Sequence, residues 1–194
     1  MRVAGGEYGG RRLEVPKSDL IRPTQDRVRE ALFNMLQGDV PGAEFLDLFA
    51  GSGAVGIEAL SRGAAHVTFV ECQRRHLAVL ARNLSTLRVP PSSFTVVAAD
   101  VYRFLAAYSG AGFTAAFADP PYALGEEKGY ASVLATLAGR GVVRPGGVFV
   151  AEMTAVQQAE ETPGWELVRD RTYGRTRLSI WRRDADAAET ISKQ

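Results

Sequence analysis

Four consecutive residues, Asp119-Pro120-Pro121-Tyr122, make an acceptor-rich group. Two prolines in succession fix φ and carry no N–H. The Pro120 carbonyl therefore stands beside the Asp119 carboxylate with no donor between them. Such a pair suits an NH2 group: two acceptors take both hydrogens and turn the nitrogen lone pair outward. Tyr122 offers a flat face on which a base can stack. The plainer reading is a rigid loop, or a ligand for a proline-binding domain. The group directly follows an apolar run, Phe113 to Ala118, and that position at a strand end favours chemistry.

A second group lies upstream. Gly51, Gly53 and Gly56 match G-x-G-x-x-G, and Glu71 falls 20 residues beyond Gly51. On spacing alone this is a dinucleotide fingerprint with its ribose-binding acid. Asp47 argues against a dinucleotide, because a carboxylate beside the loop repels a pyrophosphate seated on the helix terminus. It suits a ligand with a cationic amino-acid end, such as S-adenosylmethionine; otherwise Asp47 caps the following turn. Asp47, Glu71, Asp100 and Asp119 all stand at or near the ends of successive apolar runs. Each alone reads as a turn residue. Four in register read as one ligand, since open α/β sheets bind at the carboxyl ends of their strands. Glu71 is then the acceptor for ribose hydroxyls, and Asp100 for an adenine amino group with a backbone N–H nearby. Cys72 packs on the adenine as a small buried hydrophobe.

The elements that position these residues follow from the pattern. Phe45 to Phe49 reads as a buried strand, Ala50 to Gly53 as a glycine turn, and the stretch from Val55 towards Gly63 as a helix. His66–Glu71, Phe94–Ala98, Phe113–Ala118 and Gly147–Glu152 read as further strands. Helices are predicted over Gln73–Leu87, through Phe104 and Leu105, and around Ser132–Leu137. Strand–helix alternation implies a parallel sheet with helices on both faces. Trp165–Asp170 and Arg177–Trp181 are too close for an intervening helix and pair antiparallel at the sheet edge. Residues 1–16 read as a hairpin that brings Arg2, Arg11 and Arg12 together. A helix follows, capped by Thr24, with Arg29 on a solvated face. Arg22, in an extended segment before a proline, is placed to meet phosphate. Arg169, Arg171, Arg175 and Arg177 mark the C-terminal hairpin as a second basic patch.

With 194 residues, 46% hydrophobic and 23% charged, the chain fits one domain of ordinary globular composition. A net charge of +1 gives no global field, so any nucleic-acid surface is local. One cysteine, Cys72, and two histidines support neither internal disulfides nor a Cys/His metal site. There is no basic-then-apolar leader and no apolar run of membrane-spanning length, and the expectation is a cytoplasmic protein.

Taken together, Arg22-Pro23-Thr24, Asp26-Arg27-Val28-Arg29-Glu30, Leu32-Phe33-Asn34, Phe45 to Gly63, Phe69-Val70-Glu71 and Asp119 to Tyr122 resemble the bacterial ribosomal small subunit methyltransferase D family. The resemblance covers residues 1–84 and 117–125 closely. It departs at Val3-Ala4, at Cys72 and around Leu87 to Phe94. It implies a Rossmann-like class I S-adenosylmethionine-dependent methyltransferase fold. That is a mostly parallel seven-stranded α/β sheet with helices on both faces, an antiparallel final strand and an N-terminal β-hairpin extension. Its expected layout is an RNA-contacting extension at 1–37, a methyltransferase domain at 38–183 and a tail at 184–194. The implied reaction moves a methyl from S-adenosylmethionine to N2 of a guanine in 16S rRNA, leaving S-adenosylhomocysteine and using no metal. Implied catalytic residues are Asp119, Pro120 and Tyr122. Asp47, Ala50, Gly51, Ser52, Gly53, Glu71, Cys72, Asp100 and Val101 would hold the cofactor. Arg2, Arg11, Arg12, Arg22 and Thr24 would contact RNA. The implied partner is 16S rRNA in the small ribosomal subunit or a late precursor, met by a monomer away from any membrane. Amino-methylation of adenine N6 or cytosine N4 in DNA is the alternative chemistry. A dinucleotide-dependent reductase and a non-catalytic RNA-binding module are the alternatives outside it.

Overall fold

The first strand sets the frame. In the computed structural model, which describes residues 1–16, 23–119 and 122–185 (the side chains of 23–25 and 122–129 excepted), Phe45, Leu46 and Leu48 of β1 (Glu44–Leu48) are fully buried. A parallel strand covered on both faces needs such a continuous apolar run. β1 pairs in parallel with β2 (His66–Glu71), and β2 with β3 (Phe94–Ala98). The crossovers are α2 (Ala54–Ser61) and α3 (Arg74–Leu87). α3 buries Leu80, Leu84 and Leu87, and Asn83 lies on the same side. α1 (Pro23–Met35) buries Val28, Leu32 and Phe33; the Phe33 ring stacks on Phe45 at 6.4 Å, and the Arg62 guanidinium lies over it at 5.3 Å. α4 (Val101–Ala107) follows β3.

The chain divides into two compact units, Met1–Val101 and Tyr102–Gln194. In the second, β4 (Phe113–Ala118) and β5 (Val143–Thr154) pair in parallel across α5 (Tyr122–Gly139). β7 (Thr176–Arg183) runs antiparallel to β5 and to β6 (Trp165–Tyr173). Phe149 centres this core, with Trp181, Trp165 and Tyr130 at 5.9, 6.4 and 6.4 Å between ring centroids. The seven strands take the order β3-β2-β1-β4-β5-β7-β6. The expected seven-stranded, mostly parallel sheet is therefore observed, with the last two strands as its antiparallel part.

Three boundaries differ from expectation. β5 starts at Val143 rather than Gly147, because Pro145-Gly146 is absorbed as an irregularity: the register jumps from Phe113↔Val143 to Ala115↔Val148. α5 runs back to Tyr122, directly behind the two prolines, and β6 carries an irregularity between Leu167 and Arg169. The N-terminal hairpin is held by one antiparallel bridge, Arg2↔Arg12, with Val3 N–H donating to the Arg11 carbonyl and Leu13 N–H to Met1, both at 3.0 Å. Lys17, Arg22, Pro120, Pro121 and residues 186–194 of the expected tail lie outside the described residues. Among the described residues, no helix is long and apolar enough to cross a membrane.

Candidate active site

The glycine turn is shaped by strain and by buried acids. Phe49, the residue after β1, has φ +61°, a left-handed conformation that is an outlier for a bulky side chain. Gly53 follows at φ +80°, and a Cβ there would lie 2.2 Å from Leu80 Cδ1, so only glycine fits. Ala50 N–H reaches the Val70 carbonyl at 3.1 Å, and Gly53 N–H reaches Ala50 at 2.8 Å. Asp47 is 1% exposed, and its Oδ2 accepts the Gly56 N–H at 2.9 Å. This is the capping geometry: Asp47 ties the strand to the first turn of α2, and it sets the loop from below.

Glu71 closes the turn from the other side. At 6% exposed, its Oε1 accepts the N–H groups of Cys72 and Gln73 at 2.8 and 2.7 Å. Its Oε2 accepts Gly51 N–H at 2.8 Å and faces His76 Nδ1 at 3.4 Å. A carboxylate offers about four lone-pair sites, so these four partners fill it. The same carboxylate links the glycine loop to the start of α3, a role that spacing alone did not reveal.

Cys72 is exposed rather than buried, because β2 ends at Glu71 and the next residue turns outward. Burial of its near side, and the charges of Glu71 and Asp100, push its thiol pKa up. Glu71 and Asp100 are thus both near enough to Cys72 to act on its thiol. Asp100 is exposed after β3, and Val101 opens α4, where backbone N–H groups lack intrahelical partners.

The N-terminal hairpin is bolted to α2. Glu58, 0% exposed in mid-helix, accepts Ala4 N–H at 2.7 Å, Gly5 N–H at 2.9 Å and Arg62 Nε at 2.8 Å. Arg29 Nε stands 3.5 Å from its other oxygen. Arg29 is thus not on a solvated face: it is 5% exposed, pairs with Asp26 at 3.2 Å and donates to the Arg2 carbonyl. The reason is Glu58, whose burial demands a counter-charge. Ser61 completes the joint, its carbonyl accepting Glu7 N–H at 2.7 Å and its hydroxyl Tyr8 N–H at 2.8 Å. A Cβ on Gly6 would fall 1.7 Å from that carbonyl. Arg2, Arg11 and Arg12 remain exposed; Arg2 donates to Gly10 O at 2.6 Å and Arg11 to Thr86 O at 2.8 Å. Arg22 and the Thr24 side chain lie outside the description. In the second patch Arg177 is tied to Asp170 at 2.9 Å, while Arg169, Arg171 and Arg175 are exposed.

In the second unit, Ala118 pairs with Ala151, so Asp119, directly after β4, and Glu152, still within β5, follow that pair on neighbouring parallel strands. Asp119 has exposed surface, yet its carboxyl pKa is raised to about 6 by loss of water. Glu152 is pushed up to about 8, by burial first and then by the Asp119 charge. Tyr130 donates its hydroxyl to the Glu152 carbonyl at 2.9 Å, and burial together with both acids raises its pKa. Both acids are therefore held above the ordinary carboxylate range, Glu152 in part by the charge of Asp119. The sequence reading named Glu152 only as the last residue of the Gly147–Glu152 strand; its nearness to Asp119 depends on the pairing of β4 with β5. The Tyr122 side chain and both prolines are not described.

The family model described as "Conserved hypothetical protein 95" matches residues 1–182. Ribosomal RNA small subunit methyltransferase D of Escherichia coli is 37% identical over 188 residues, 95% of this chain and 91% of the relative. The chain belongs to the ribosomal RNA small subunit methyltransferase D family. The Haemophilus influenzae member of that family is 33% identical over 175 residues, 90% of this chain and 89% of the relative. A solved Thermus thermophilus structure superposes with a TM-score of 0.76 at 34% identity, covering 93% of this chain and 98% of that one. SMU.776, a "putative methyltransferase" solved with S-adenosylhomocysteine, 17% identical with a TM-score of 0.67 over 84% of this chain and 50% of that one, shares the fold. The Rossmann-like methyltransferase sheet expected from the sequence is the family's own.

Proposed function

We propose that this protein transfers a methyl group from S-adenosylmethionine to the N2 amine of a guanine in 16S rRNA. The observation that carries the reading is Asp119, an exposed residue directly after β4 that the two prolines follow in the sequence. The residues at the glycine loop fit the cofactor: a tight turn closed by acids, with exposed Cys72 and Asp100 beside Glu71. Carboxylates are hydroxyl and ammonium acceptors, and no pyrophosphate would be welcome among them. Asp47 shapes the loop, Glu71 takes ribose hydroxyls, Asp100 and the Val101 amide meet the adenine, and Ala50 to Gly53 hold the amino-acid end.

When bound, the cofactor supplies a methyl already activated on a sulfonium. Asp119 and the Pro120 carbonyl take both hydrogens of the guanine amine, draw its lone pair out of conjugation and stabilise the positive charge that develops on nitrogen. Tyr122 stacks the extruded base, which has to leave its own helix or loop to arrive. The proton lost from nitrogen passes to Asp119 or to water. Arg2, Arg11, Arg12, Arg22 and Thr24 serve the RNA backbone, and the substrate is the small subunit or a late precursor of it.

Asp119→Ala tests the acceptor role: turnover is lost, while S-adenosylhomocysteine affinity by calorimetry stays within several-fold. A variant with the parent rate removes Asp119 from the chemistry. A thermal shift with NAD and none with S-adenosylmethionine would reverse the cofactor.

A further inference from the structure

We propose that Asn83 is a positioning residue that couples the glycine loop to the N-terminal arm, so that a filled cofactor site firms the surface meant for RNA. The inference rests on the cofactor reading above. Asn83 is 2% exposed, on the buried side of α3 among Leu80, Leu84 and Leu87. An amide there is costly unless satisfied, and this one has three partners. Its Oδ1 accepts Glu14 N–H at 2.8 Å, and its Nδ2 donates to the Glu14 carbonyl at 3.0 Å and to the Ser52 carbonyl at 2.9 Å. The Glu14 N–H can only donate, which fixes the amide orientation.

The side chain therefore mimics a β-ladder towards residue 14 and reaches into the cofactor turn with its remaining hydrogen. One buried side chain thus bonds both segments. Residues 11–14 are held to α3 by two further contacts: the Arg11 bond to Thr86 O, and an exposed Arg82–Glu14 ion pair at 2.8 Å. The ion pair is worth little in water. Asn83 is the link that is buried. Its helix begins three residues after Glu71, and its Leu80 seats against Gly53, so the loop, the ribose acid and the arm share α3 as one strut. A ligand that fixes the Ser52 carbonyl removes one freedom from the Asn83 amide and thereby steadies Glu14. Coupling of this kind is reciprocal: RNA on the arm tightens cofactor binding by the same factor.

Hydrogen exchange of the full chain, with and without saturating S-adenosylhomocysteine, tests the proposal. In the parent protein, peptides spanning 50–56 and 12–16 should both slow, the second by about fivefold or more. In Asn83→Asp, which keeps the acceptor for Glu14 N–H but loses both donor hydrogens, only 50–56 should slow. A merely structural asparagine would loosen 12–16 equally with and without ligand, leaving the ligand-dependent difference intact, and that result overturns the coupling. If the variant does not fold, the parent alone decides, because slowing at 50–56 without slowing at 12–16 also overturns it. Slowing at neither segment would overturn the cofactor reading and the coupling together.

Discussion

Glu58→Gln is the sharpest test of how the N-terminal arm is held. The two carboxylate oxygens serve opposite sides: one takes Gly5 N–H and Arg62, the other takes Ala4 N–H and faces Arg29. A glutamine keeps one oxygen and turns an NH2 towards donors on the other side. One backbone N–H loses its acceptor, at about 1–3 kcal/mol. Arg29, 5% exposed, loses its buried counter-charge and keeps only the half-exposed Asp26 and a carbonyl. Breaking one side of a buried pair costs about 3–5 kcal/mol in total. With a urea slope of about 2 kcal/mol per molar, the unfolding midpoint should fall by about 2 M at unchanged slope. Adding Arg29→Met should recover part of the loss, since the orphaned charge leaves with it. A midpoint within about 0.3 M of the parent would refute the reasoning, and so would strict additivity in the double variant.

Four further outcomes are expected. Gly53→Ala should weaken S-adenosylhomocysteine binding by more than about tenfold in calorimetry, because φ +80° and the Leu80 contact both forbid a Cβ; unchanged affinity would separate the turn from the cofactor. Asp119 and Glu152 have folded pKa values above the ordinary carboxylate range, so the folded state binds more protons than the unfolded chain from about pH 4 to 8. Their contribution to stability is then full below that window and is lost as pH rises through it, and Glu152→Gln should flatten the slope of Tm against pH. Catalysis runs the other way, since Asp119 must be ionised to accept the amine, and kcat should fall below about pH 6. Replacing Arg11 and Arg12 with Ala should weaken binding of rRNA and reduce the log–log salt slope by about 1–2; an unaltered slope would return both to plain solvation.

The strand–turn–helix frame was legible because its signals are local: a continuous apolar run, a glycine turn, then helical spacing. The acids at the strand ends were legible for the same reason, and the family residues followed. What the chain hid were dependences between distant segments. Glu58 sits in an apolar helix, Val55 to Leu60, where a lone charge signals either solvent or a buried partner; only docking of residues 4–8 decides. Arg29 follows Glu58 inward for that reason. Asn83 carried a readable sign, a polar residue on a leucine stripe, but its partners lie 69 and 31 residues away. The left-handed Phe49 has no sequence mark, since aromatic residues avoid that conformation and tertiary structure imposes it. Cys72 was read as buried although the same reading ended the strand at Glu71, and directly after that strand end it is exposed.

The central claim is most directly tested on small ribosomal subunits from cells lacking this gene, incubated with the purified protein and methyl-labelled S-adenosylmethionine. The rRNA is then digested and its nucleosides are separated by mass. The account predicts label in N2-methylguanosine, and none with Asp119→Ala. Label in N6-methyladenosine or N4-methylcytidine, or label in DNA with none in the subunits, would contradict it.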